Sequence, residues 1–81
     1  MNSKITHALE FTDTFGGDAN YSWVRRDTLK TKPTITRPAL VRRAKSKMGI
    51  TGAHRLEILG EMLAIYPRGE CTVLFIEPAA T

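Results

Sequence analysis

Ile5, Leu9 and Phe11 fall on one parity of the first segment, with His7 beside them, while Thr6, Glu10 and Thr12 fall on the other. Alternation of period two predicts a strand with one buried face. Asp13 to Asn20 (DTFGGDAN) predicts a loop, because Gly, Asp and Asn accept backbone conformations that other residues resist. Tyr21 to Asp27 then predicts a second strand, completing a hairpin with a long tip. On that strand Tyr21, Trp23 and Arg25 share one parity and hence one face, and Arg26 takes the other. Thr28 to Ile35, rich in Thr and Lys and containing Pro33, reads as an irregular connection or a frayed edge strand.

The period changes after Thr36. Leu40, Val41, Ala44 and Met48 recur at spacings of three and four, which predicts a helix. Thr36 can cap it, Pro38 sits in the first turn, Lys45 and Lys47 lie near the C-terminus, and Gly49 can close it in a left-handed conformation. His54 to Tyr66 is ambiguous. Leu56, Leu59 and Leu63 fit a helical face, but Leu56 and Ile58 also alternate with polar residues and Gly60 interrupts the middle. Two short strands turning at Gly60-Glu61 are the preferred reading. Tyr66 to Gly69 matches a β-turn with Pro second and Gly fourth. Cys71 to Glu77 is apolar on both parities and predicts a central strand, ended by Pro78. The expected fold is α+β in the order β-β-α-β-β-β: a mostly antiparallel sheet of four or five strands with one main helix.

At 81 residues, 42% of them hydrophobic, residues 1–81 form a single domain with a thin core. A monomer or weak homodimer is expected, since small cores gain from association. The longest apolar run is Met62 to Tyr66, too short for a membrane helix, and the N-terminus has no signal-peptide pattern. A lone Cys71 cannot form an internal disulfide, so a reducing, cytoplasmic location is expected.

Charge changes the picture most. The net +4 conceals an uneven distribution. From Tyr21 to Arg55 ten basic residues face Asp27 alone, a net of +9, while the first twenty residues carry −2 and the remaining C-terminal residues −3. Such asymmetry points to a partner with negative potential. The helix contributes Arg37, Arg42, Arg43, Lys45 and Lys47 and has no acid from Pro38 to Gly49.

Catalytic chemistry finds little support. His7, His54 and Cys71 are spaced by 47 and 17 residues, unlike any zinc pattern. Cys71 in an apolar strand behaves more often as a small buried hydrophobe than as a nucleophile. The loop TFGGDAN lacks the lysine and spacing of a phosphate-binding loop, and Asp13 and Asp18 are read as turn supports. No catalytic, metal or cofactor residue is therefore assigned. Binding is the better reading, with Arg25, Arg26, Arg42, Arg43, Lys45 and Lys47 as the basic contacts. Tyr21, Trp23 and Phe15, in the Phe15-Gly16-Gly17 loop, are the aromatic ones.

The strings LEFTDTFGGDANYSWVRR, RPALVRRAKSKMGITG, GEMLAIYPRG and CTVLFIE together resemble a family of short phage- and prophage-encoded proteins, over nearly the whole chain. The resemblance implies a protein acting in the cytoplasm of a bacterial host, and it favours strands around Gly60-Glu61. Small phage proteins of this kind include anti-CRISPR inhibitors. It implies as partner a host CRISPR effector complex, protein or ribonucleoprotein, of the type I Cascade class. That complex would be blocked in target-DNA binding or effector recruitment. The alternative reading is a phage accessory protein whose same cations neutralise the phosphates of a nucleic acid.

Overall fold

Thr36 starts the helix by accepting the Ala39 N–H on its hydroxyl at 3.3 Å, and α1 then runs Arg37–Met48 with Pro38 in its first turn. Gly49 ends it at φ +73°, a conformation that costs glycine little. The Gly49 and Ile50 N–H groups satisfy the carbonyls of Ser46 and Lys45 at 3.2 and 2.8 Å. The computed structural model describes residues 4–15 and 17–79, and in it the helix is joined by five strands. These are β1 (Ile5–Asp13), β2 (Val24–Thr31), β3 (His54–Leu59), β4 (Met62–Pro67) and β5 (Thr72–Pro78). They form one antiparallel sheet in the order β2-β1-β5-β4-β3. The α+β class, the element order and the hairpin at Gly60-Glu61 agree with the sequence reading.

Register assigns the faces. Leu9 lies opposite Ile76, Leu63 opposite Ile76 and Leu56 opposite Ile65, so His7, Leu9 and Phe11, Leu74 and Ile76, Leu63 and Ile65, and Leu56 and Ile58 share the face that α1 covers. Val41, Ala44 and Met48 of α1 pack into this layer to make the core. β5 is third of five strands and buries Val73 and Leu74 completely on opposite faces, as expected of a central strand.

Two expectations are corrected. The second strand begins at Val24 and not at Tyr21, because Tyr21 takes φ +56° and breaks the extended chain. Of the two readings of Thr28 to Ile35, the edge strand holds as far as Thr31, where β2 ends. Cys71 is exposed and precedes β5. The ladder to β1 ends with Asp13 opposite Thr72, which leaves Cys71 one residue outside it, accepting the Thr14 N–H on its carbonyl at 2.8 Å.

No helix among the described residues is long and apolar enough to cross a membrane.

Candidate partner-binding groove

A helix about 10 Å across cannot cover five strands that span about 19 Å. In this chain α1 lies toward β2. Arg43 donates to the Lys30 carbonyl at 3.5 Å, and Arg25 donates to the Met48 carbonyl at 3.4 Å, where a cation also meets the negative end of the helix dipole. The uncovered remainder, between α1 and β3, is a groove of about 520 Å³. Val41, Ile50 and Leu56 give it an apolar floor; Arg37, Arg42, Lys45 and His54 line its rim. No carboxylate is among the described residues that line it.

Lys45 is fixed within this rim. Its Nζ donates to the Gly52 carbonyl at 2.5 Å and to His54 Nδ1 at 3.0 Å. Because a lysine only donates, Nδ1 is the acceptor and His54 carries its proton on Nε2. Burial lowers the His54 pKa, and the neighbouring Lys45 charge lowers it further. Arg37 and Arg42 are exposed and make no hydrogen bond or ion pair among the described residues.

The remaining predicted residues lie elsewhere. Arg26 projects from the sheet face opposite α1 and pairs with Glu10 at 3.1 Å. Tyr21 joins that side: burial raises its pKa, and so does its hydrogen bond to Glu10. Trp23 turns the other way, its ring edge-to-face with Phe11 at 5.3 Å. The expected sharing of one face by Tyr21, Trp23 and Arg25 is therefore not seen, since the positive φ at Tyr21 removes it from the strand's alternation. Arg25 and Arg43 are engaged at the β2 side, and Lys47 is exposed. Arg42 and Lys45 reach the groove together, and Arg25 and Arg26 do not.

The loop between β1 and β2 is organised by Asp13. Its carboxylate accepts the Ser22 N–H at 2.9 Å and the Asn20 amide at 3.1 Å, and Asn20 N–H returns to the Asp13 carbonyl at 2.9 Å. Burial raises the Asp13 pKa, but these hydrogen bonds outweigh it and hold the carboxyl at about 2. Asp13 supports the turn, as the sequence suggested. With Phe15, Trp23 and Cys71 it lines a separate hollow, so Asp13 and His54 do not converge. Asp18 is exposed and apart from both, Phe15 is 79% exposed at the tip, and Gly16 lies outside the described residues. No group of three or more potential metal ligands occurs among the described residues.

Sequence reasoning missed Leu56 and Ile50 as groove residues and did not single out Arg37 from the other helical cations. Only the alternation of Leu56 and Ile58 with Arg55 and Glu57 hinted at a half-covered strand. Comparison of the chain with family models, with curated proteins and with solved structures gives no match.

Proposed function

We propose that this chain is a binding protein whose working surface is the α1–β3 groove, and that it acts as a phage-encoded anti-defence inhibitor of a type I Cascade complex in the host cytoplasm. The observation that carries the reading is an apolar floor of Val41, Ile50 and Leu56 beneath cations with no carboxylate among them. A protein segment with apolar side chains flanked by acidic ones satisfies both features: the floor removes its apolar surface from water, and the rim meets its charge. A nucleic-acid backbone would use the rim and leave the floor empty, which favours a protein partner over the phosphate-binding alternative. The choice of Cascade follows from the resemblance to small phage proteins, and occupation of an acidic surface there would block target-DNA binding or effector recruitment.

Co-expression of Cascade with the chain tests this. Co-elution, together with loss of target-DNA binding or of effector recruitment, is expected. No co-elution with any type I complex and undiminished phage restriction would remove the Cascade reading. Direct binding of naked DNA that weakens steeply with salt, without co-elution, would replace it by the nucleic-acid reading.

A further inference from the structure

We infer that the β3 edge of the sheet is a self-association surface that pairs with β3 of a second copy of the chain, antiparallel and in one register. This does not rest on what the groove binds.

The free edge is defined by the hairpin. A two-residue turn at Gly60-Glu61 makes Leu59 and Met62 the closing hydrogen-bonded pair, and Arg68 N–H donates to the Ala53 carbonyl at 2.9 Å on the same parity. His54 faces Pro67, which has no N–H to give, on the other parity. Residues 53, 55, 57 and 59 therefore bond inward to β4, and the N–H and C=O groups of His54, Leu56 and Ile58 point outward. Among the described residues no strand lies beyond them. Two large apolar side chains flank this edge, Ile58 at 52% and Leu59 at 46% exposure. An unpaired strand edge bearing apolar side chains is a template for another strand.

Charge selects the occupant and the register. If Leu56 meets its own copy across a two-fold axis, the outward groups of His54 and Ile58 pair with those of Ile58 and His54 in the second chain. Arg55 then stands opposite Glu57 of the second copy, and Glu57 opposite its Arg55, both at the closer, non-hydrogen-bonded positions. In the monomer Arg55 and Glu57 already form an ion pair at 2.5 Å on the sheet face away from α1, so both are positioned on the correct side. Sliding the pairing by two residues in one direction sets Arg55 against Arg55, and in the other Glu57 against Glu57. Sliding by one mismatches the outward groups. The segment is complementary to itself in a single alignment. Pairing there also brings the two grooves together through adjacent Leu56 side chains.

Sedimentation velocity over a wide concentration series reads the association. The wild-type chain is expected to shift from monomer to dimer as concentration rises. Ile58→Pro removes an outward N–H that the monomer does not use and should leave a folded monomer, checked by circular dichroism. Arg55→Glu alone and Glu57→Arg alone should each be monomeric, because each places like charges opposite one another. An equimolar mixture of those two variants restores opposite charges at both positions and should dimerise again, which shows that the single variants remain folded. A wild-type chain that stays monomeric up to millimolar concentration overturns the inference. So does a dimer that survives Ile58→Pro, or a mixture that remains monomeric.

Discussion

The two edges of the sheet, β2 and β3, receive opposite treatment. At β2 the cations are engaged: Arg25 reaches the end of α1, Arg43 the Lys30 carbonyl and Arg26 the Glu10 carboxylate. The helix lies against this side, and Leu29 is buried beneath it. At β3 the helix is withdrawn, Ile58 and Leu59 are exposed, and Arg37 and Arg42 stand over an open apolar floor. On the β2 side Arg25, Arg26 and Arg43 are engaged by the protein itself; on the β3 side Lys45 is held by Gly52 and His54, while Arg37 and Arg42 have no partner among the described residues.

The largest expected contrast is in stability. Leu29→Ala removes a core side chain and should cost about 2–5 kcal/mol, whereas Ile58→Ala removes an exposed one and should stay within about 0.5 kcal/mol. Urea unfolding of both variants measures the difference, and comparable losses would mean that β3 is as well covered as β2. Next is Arg25→Ala, which removes a hydrogen bond to the helix end and should cost about 0.5–1 kcal/mol, while Arg42→Ala should change stability by less than about 0.5 kcal/mol. Thermal melts resolve that pair.

The smallest effect is on acid sensitivity. Burial lowers the His7 pKa, and His7 Nε2 lies 2.9 Å from Thr31 Oγ1; the His54 pKa is lowered as well. The folded state therefore favours neutral imidazoles. Their contribution is complete above the ordinary histidine value of about 6.5 and declines as pH falls through the lowered folded values. Asp13, held at about 2, contributes above the ordinary carboxyl range, and that contribution is lost as pH falls toward its folded value. Melting temperature should accordingly drop first in the weakly acidic range and again in the strongly acidic one. His7→Gln, on the buried side, should flatten the first step more than His54→Gln at the open groove.

The difference between the edges was only half legible in the chain. Local signals were enough for α1, because Thr36, Pro38 and Gly49 each act within their own turn. They were enough for β5 apart from its first residue, but they left His54 to Tyr66 ambiguous between a helix and the Gly60 hairpin. Tyr21 was misplaced because a single left-handed residue reverses a side chain without any glycine to announce it. Cys71 was misplaced because apolar character ran one residue past the end of the ladder. Of the groove only the alternation along β3 gave a hint: Leu56 looks like any core residue, and Arg42 and Arg43 are adjacent in sequence. Where the helix lies across the sheet decides which of the two faces the groove, and that is a tertiary fact.

That adjacency supplies the most direct test. Arg37→Glu with Arg42→Glu reverses the groove rim; Arg43→Glu with Lys47→Glu makes the same change of charge outside it. Both pairs should fold, since the bond from Arg43 to the Lys30 carbonyl is exposed and 3.5 Å long. Co-elution with Cascade, or with any partner found by that route, should weaken by at least about tenfold for the rim pair and remain near wild type for the other. Equal losses in both pairs would contradict the account, since net charge and not the groove would then determine binding.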